Sequence, residues 1–279
     1  MKVLITGASS GIGRSIAIEY AKEGYDLVLV ARNKSKLNEV KKEIGNNVSV
    51  EVVSMDLNDI DNCKRLYNEH KDIDILINNA GLGLFGEFID SDLDKELGMI
   101  DTNIKSMHTL MKLYLNDMIN RDSGQILNVA SIAGFMPGPL MSTYYATKNY
   151  VVSLSEGVRE ELRKKKSKVK ISILCPGPVK TNFDNVAGVK FSLKGKNSDE
   201  VARYTVKCMK KGKFYIVPGF DIKLLRFISG IVSNNLISKV VYYQQRKKYY
   251  WFSNQSIIFL CIIPSCDILI VSVEMTYLG

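Results

Sequence analysis

The sequence predicts an α/β fold: a doubly wound parallel sheet covered by helices on both faces, followed by a C-terminal extension. Three observations carry this. Short, near-continuously apolar runs alternate with helical stretches, the pattern of strands buried on both faces. A glycine-rich turn, Thr6–Gly13, joins the first such run directly to the first helical pattern. The alternation stops near Pro218, and the composition changes after it.

Lys2–Thr6 reads as the first strand and Gly11–Glu23 as its helix. Asp26–Ala31 and a lysine-rich helix over Lys34–Ile44 follow. Val48–Val53 leads into a helix near Ile60–His70, and Ile73–Asn78 is the next strand. One long helical region covers Leu93–Ile119, then Gln125–Ala130 returns to strand. Thr143–Lys165 is a helix, Val169–Cys175 a strand, Ser198–Lys210 a helix and Phe214–Val217 the last strand of the repeating pattern. No internal repeat is evident. Residues 1–218 form one sheet-building domain in this reading, and 219–279 the extension.

With 279 residues, 46% hydrophobic and 24% charged, the chain has ordinary globular composition and enough length to bury a core. Five cysteines without a CxxC pair and only two histidines, His70 and His108, argue against a metal site and for a reduced, cytoplasmic protein. The start lacks the charged head and cleavage site of a signal peptide. Charge is uneven. Residues 1–150 carry 16 basic and 20 acidic side chains, and residues 151–279 carry 22 and 9, so the net +9 arises in the second half. Its cations are not interleaved with aromatics in any nucleic-acid module, so no nucleic-acid partner is expected.

The candidate site follows the strand ends, where open α/β sheets bind ligands. In Thr6-Gly7-Ala8-Ser9-Ser10-Gly11-Ile12-Gly13, glycines let a ligand approach the backbone, and the amides opening a helix favour an anion such as a pyrophosphate. Ser9 and Ser10 can add hydroxyl bonds. The spacing is GxxxGxG rather than GxGxxG. The second strand ends in Arg32 with no acid beside it; an arginine there accommodates a 2′-phosphate. Ser131 follows the strand Gln125–Ala130. Tyr144 and Lys148, four residues apart, share one helix face. An ammonium beside a phenol is expected to lower the phenol pKa toward neutrality and make it a general acid/base.

These residues resemble the short-chain dehydrogenase/reductases. The likeness covers residues 1–218 through TGASSGIG at Thr6–Gly13, NNAG at Asn78–Gly81, Ser131, YxxxK at Tyr144–Lys148 and PGPVKT at Pro176–Thr181. It implies a Rossmann-type fold and an NADP(H)-dependent oxidoreductase, with NAD(H) the lesser alternative, acting on a ketone or secondary alcohol. It implies that Tyr144 exchanges the substrate proton, that Lys148 assists it and binds the nicotinamide ribose, and that Ser131 holds the substrate oxygen. Asn103 would support a water-linked proton relay. Asp56 and Leu57 would meet the adenine, Asn79, Ala80 and Gly81 the adenosine ribose, and Pro176, Gly177, Val179 and Thr181 the nicotinamide face. Tyr145 lacks the four-residue offset and is assigned to the pocket wall. No metal is implied. A catalytically silent dinucleotide sensor is the alternative, although such chains usually lose the tyrosine or lysine. An epimerase or dehydratase of the extended relatives is disfavoured by the first turn.

The substrate is expected to be a small, apolar carbonyl compound or alcohol. Phe183, Val186, Val189 and Phe191 suggest an apolar lid within 182–197, and a homo-oligomer is compatible with the pattern. The extension opens with a helical stretch, Ile222–Tyr243. Then come Arg246-Lys247-Lys248, the aromatics Tyr249–Phe252 and an apolar segment Ser256–Val273. That order suggests attachment to the cytoplasmic face of a membrane. Pro264 and Asp267 oppose a span; two short strands, Ile257–Ile263 and Ile268–Val273, are the other reading.

Overall fold

In the computed structural model the described residues are 1–181, 183, 187, 195–250, 257–260 and 270–273, with side chains described up to residue 246. The strands of the main sheet are β1 (Lys2–Thr6), β2 (Asp26–Ala31), β3 (Val50–Ser54), β4 (Ile75–Asn78), β5 (Gln125–Val129), β6 (Lys170–Leu174) and, last in chain order, β9 (Tyr215–Ile216). All neighbours pair in parallel, in the order β3-β2-β1-β4-β5-β6-β9. The order reverses between β1 and β4, which opens a crevice at the C-terminal strand ends. Two short strands, β7 (Val179–Lys180) and β8 (Lys196–Asn197), form a separate parallel pair.

The two-residue side-chain period of a strand explains the layering. Leu4, Val28 and Leu76 point to one core, where they meet Leu110, Met111, Tyr114 and Val151. Val3, Ile5, Leu27, Leu29 and Ile77 point to the other, against Ile16, Tyr20, Val206 and Met209. Helices α3 (Ile60–Glu69), α5 (Met107–Asn120) and α6 (Ser142–Lys164) supply the first face. Helices α1 (Gly11–Lys22), α2 (Lys34–Ile44) and α7 (Ser198–Lys210) supply the second. Side-chain caps start α2 and α7: Asn33 accepts from the Lys36 N–H and Asn197 from the Asp199 N–H, at 3.0 and 2.8 Å. Each satisfies a backbone donor that the first helical turn leaves unpaired.

Two expected elements differ. The long helix over Leu93–Ile119 is α4 (Leu93–Ile100), a π-helical segment Asp101–Ser106 and α5 in unbroken succession. Apolar periodicity cannot register the wider turn, which is a matter of backbone hydrogen bonding. The stretch Ile222–Tyr243 is two helices, α8 (Phe220–Ser229) and α9 (Asn234–Tyr250), parted at Gly230–Ser233. A glycine and a serine stand at that break, one an entropic cost inside a helix and the other a favoured start for the next.

Beyond α9, β10 (Ile257–Leu260) pairs antiparallel with β11 (Ile270–Val273), as in the two-strand reading. Among the described residues no helix is long and apolar enough to cross a membrane. Trp251, Phe252, Pro264 and Asp267 lie outside the described residues.

A buried polar chain ties the sheet to α6. The Asn78 Nδ2 donates to Asn128 Oδ1 at 3.0 Å, and the Asn128 Nδ2 donates to Ser155 Oγ at 2.9 Å. Replacing Asn128 by Leu leaves a buried donor on β4 without its acceptor. The expected outcome is a loss of about 1–3 kcal/mol, read as a lower urea midpoint at unchanged slope.

Candidate active site

Every motif picked out in the sequence lies at the C-terminal edge of the sheet or on an element packed over it. The turn after β1 is stapled to the turn after β4. Thr6 Oγ1 accepts from the backbone N–H groups of Asn79 and Ala80, both at 3.0 Å. The Asn79 Nδ2 donates to the carbonyls of Thr6 and Gly7 at 3.0 and 3.2 Å. This contact requires glycine at two places. Gly7 has φ +65°, and a β-carbon on Gly13 would stand 2.4 Å from Asn79 Nδ2 and 2.5 Å from the Gly7 carbonyl oxygen. Any larger residue at Gly13 would push the two turns apart.

Ser10, in extended conformation at the N-cap of α1, makes no side-chain cap bond. Its exposed hydroxyl and the amides behind it thus face the crevice mouth. Thr181 leans over the same helix start, where a β-carbon on Gly11 would be 2.9 Å from its Cγ2. This cradle of glycine backbone, helix N-terminus and hydroxyl groups fits a pyrophosphate, the chemistry a dinucleotide would place there.

At the end of β2, Arg32 is exposed, and its guanidinium makes no hydrogen bond or ion pair among the described residues. The contrast is Arg14 on α1, whose guanidinium is engaged by both carboxylate oxygens of Glu43. Asp56 is exposed just beyond β3 and accepts from the Asn58 N–H at 3.1 Å. Leu57 is buried in the core. Val179 is buried too, while Pro176 and Gly177 continue from β6; the Pro176 carbonyl accepts from the Ile132 N–H at 3.0 Å.

Tyr144 lies in the first turn of α6 and Lys148 one turn later, both buried. Ser131 acts on the Tyr144 phenol, favouring its ionised form, and also caps the short 3-10 turn Ile132–Phe135 by accepting from the Ala133 N–H at 3.2 Å. The Lys148 Nζ donates to the Val129 carbonyl at 3.0 Å and stands 5.8 Å from the Tyr144 ring centroid. Burial pushes the Tyr144 phenol up to about 12, with Ser131 opposing, and pulls Lys148 down to about 8. This reverses the expected lowering of the phenol. Desolvation of the phenolate outweighs every other influence on Tyr144, and the lysine is bonded to the β5 carbonyl.

Asn103 is buried in the π-helical segment. Its Oδ1 accepts from the Leu82 N–H at 2.8 Å, and its Nδ2 donates to the Leu82 carbonyl at 2.9 Å and to Thr147 Oγ1 at 3.0 Å. It clamps the strand-end loop to α6. Gly81 fills the gap between: a β-carbon there would be 3.3 Å from both Asn103 Oδ1 and Lys148 Nζ.

Tyr144 belongs to an apolar cluster with Met99, Ala133, Met141 and Ala187, against which Leu82, Leu84 and Phe85 pack, and its ring meets those of Tyr145 and Phe183 at 6.0 and 5.5 Å between centroids. Phe183 is the one expected lid aromatic that is described; Val186, Val189 and Phe191 fall outside the described residues. Two positioning residues escaped the sequence reading. Asn149 Nδ2 donates to the Ala133, Met136 and Tyr145 carbonyls at 2.8–3.2 Å, holding the turn that carries Ser131. Gln245 of α9 is buried and donates to the Tyr145 hydroxyl at 3.2 Å. No local pattern signals Gln245, because 100 residues separate it from its partner. A tail deletion meant to spare the site must therefore begin beyond Gln245. Two cavities, one lined by Arg159, Lys170 and Phe214 and one by Ile60, His108 and Tyr150, include none of these site residues in their lining.

The comparisons agree with the geometry. A family model for the short chain dehydrogenases matches residues 1–189. An uncharacterised oxidoreductase of Staphylococcus saprophyticus is 36% identical over 212 residues, 73% of this chain and 90% of that one. The NADP-dependent 3-hydroxy acid dehydrogenase of Schizosaccharomyces pombe is 37% identical over 192 residues, 66% and 73% of the two chains. Among solved structures, a short-chain dehydrogenase from Sphingobium yanoikuyae in complex with NADPH superposes with a TM-score of 0.74 at 31% identity, covering 78% of this chain and 88% of that one. One from Burkholderia phymatum in complex with NAD gives 0.73 at 25% identity, covering 81% and 91%. The chain belongs to the short-chain dehydrogenase family. It is an NAD(P)-dependent oxidoreductase that acts on a small molecule.

Burial of Lys148 carries a stability cost that depends on pH. In the unfolded chain this lysine keeps its proton to about pH 10.4, whereas in the folded chain it gives it up near 8. The cost is full below pH 8 and fades as pH rises toward 10.4. Lys148→Met is expected to be about 1–3 kcal/mol more stable than the parent at pH 7. Melting curves from pH 7 to 10 should show the gap closing.

Proposed function

We propose that the protein is an NADP(H)-dependent reductase of an apolar ketone, running in reverse on the secondary alcohol. Tyr144 is the proton donor and acceptor in this reading. The observation that carries it is the buried Tyr144, with Ser131 acting on its phenol and Lys148 one helical turn away, beside a turn that fits a pyrophosphate. Bound nicotinamide supplies or accepts the hydride.

The chain's own groups do the rest. Gly7, Ser9, Ser10, Gly11, Ile12 and Gly13 receive the pyrophosphate. Asp56 and Leu57 border the adenine, and Asn79, Ala80 and Gly81 the adenosine ribose. Pro176, Gly177, Val179 and Thr181 orient the nicotinamide face, and Lys148 holds its ribose. Ser131 Oγ orients the substrate oxygen toward Tyr144 Oη. A phenol with a pKa near 12 keeps its proton at neutral pH, so the resting site is prepared to protonate the oxygen formed by carbonyl reduction. Lys148 Nζ, one helical turn away, then steadies the phenolate, and Asn103 keeps the loop and helix in register for a water-linked return of the proton. Residues 1–218 form the unit that carries this chemistry.

The substrate class follows from the wall. Apart from Ser131 and Lys148, Tyr144 sits in an apolar cluster closed by the Tyr145 and Phe183 rings, which favours an uncharged, apolar carbonyl compound over the 3-hydroxy acid in the name of the fission-yeast relative. The cofactor choice follows from Arg32, whose free guanidinium can pair with a 2′-phosphate.

Two outcomes test this. With an apolar ketone that wild type reduces, Tyr144→Phe should lower kcat by about 10²–10⁴ while NADPH affinity, measured by fluorescence, stays within about twofold. Unchanged turnover would overturn the assignment. Arg32→Ala should lose most of a roughly ten- to hundredfold preference for NADPH over NADH, read as the ratio of kcat/KM values. A wild type that prefers NADH would overturn the cofactor reading.

A further inference from the structure

Helix α8 is turned inside out. One side holds Ile222, buried where a β-carbon on Gly177 would stand 2.5 Å from its Cδ1. The same side holds Arg226, stacked 3.4 Å from the Tyr215 ring centroid and 4.9 Å from that of Phe135. The opposite side is the apolar one. Phe220 is 81% exposed, Leu224 47%, Phe227 68% and Ile228 41%, and Ile231, just past the helix, is 71% exposed. At 100° per residue, the four helical positions fall within an arc of about 100°. A surface helix ordinarily directs such an arc to the core. A contiguous outward apolar face of this kind marks an interaction surface.

The surrounding charge points to what covers it. Apart from the inward-stacked Arg226, residues 219–248 carry Lys223 on α8 itself and Lys239, Arg246, Lys247 and Lys248 in the sequence of α9, against the single anion Asp221. An outward apolar helix face in a stretch of strongly positive net charge suits the boundary of an anionic bilayer, where the apolar face enters the acyl region and cations such as Lys223 meet the headgroups. A second copy of this chain would instead bring an equal excess of positive charge. We propose that the outer face of α8, continued by Ile231, docks the protein on an anionic lipid surface. Because Ile222 packs behind Gly177 and Arg226 behind Phe135, the docked face adjoins the rim of the site. The docking itself does not rest on the proposed chemistry.

The test is co-sedimentation of the full-length protein with vesicles of phosphatidylcholine containing roughly a quarter phosphatidylglycerol. Binding is expected, weak on phosphatidylcholine alone and weakened by salt. The variant Phe220→Ser/Leu224→Ser/Phe227→Ser should lose at least about tenfold in partition, and Lys223→Glu should lose part of it. Unchanged NADPH affinity and melting temperature show that both variants are folded. A second triple variant, Ile257→Ser/Ile258→Ser/Phe259→Ser, should bind vesicles like wild type. Binding lost with that variant but kept by the α8 variant would overturn the proposal in favour of the tail. Wild type that ignores vesicles would also overturn it, and a concentration-dependent dimer dispersed by the α8 variant would then identify the face as a contact between copies.

Discussion

The site depends on the bond set between Thr6 and Asn79. Strands β1 and β4 are neighbours at the point where the sheet order reverses, so their following loops diverge to opposite faces and leave a crevice. One hydroxyl and one carboxamide hold the two turns together across it. Glycine at position 13 is the consequence, because the carboxamide occupies the space a side chain would need. The amides that open α1 are thereby aimed at the same crevice as the end of β4. A phosphate-binding turn and a catalytic pocket can share one ligand only if their separation is set this rigidly.

The second constraint is desolvation. Tyr144 and Lys148 are buried with no carboxylate among the influences on either group. Each is consequently pushed toward its neutral form. A structure selected for stability alone would place a methionine or leucine at Lys148. The fold tolerates the lysine because the Val129 carbonyl accepts one of its protons and because the surrounding core is large. This is the pattern of perturbed ionisation that marks functional sites more often than structural ones.

The C-terminal helices add to a frame whose family match ends at residue 189. Helix α9 reaches back to the pocket wall through Gln245, which meets Tyr145 beside Tyr144. Helix α8 fastens itself with one isoleucine and one stacked arginine, leaving its apolar side outward. One support of the pocket wall, Gln245, and the proposed docking face thus come from the part of the chain beyond the family match.

Much of this was legible in residue order alone. Apolar runs at strand length, alternating with helical stretches, determine a covered parallel sheet, because only burial on both faces accommodates them. TGASSGIG, NNAG and YxxxK mark the crevice because glycine, amide and phenol–ammonium chemistry each tolerate few substitutes. Other features needed the tertiary structure. The π-helical turn at Asn103 depends on which carbonyl each amide finds, and apolar period does not encode that. The upward shift of Tyr144 depends on how completely the fold excludes water, whereas spacing predicted only a nearby ammonium. Gln245 meets Tyr145 across 100 residues, and the outward face of α8 is defined by what the helix packs against. Local sequence carries periodicity and chemistry; which side of an element meets the core, and how dry that core is, are decided only when distant segments close around it.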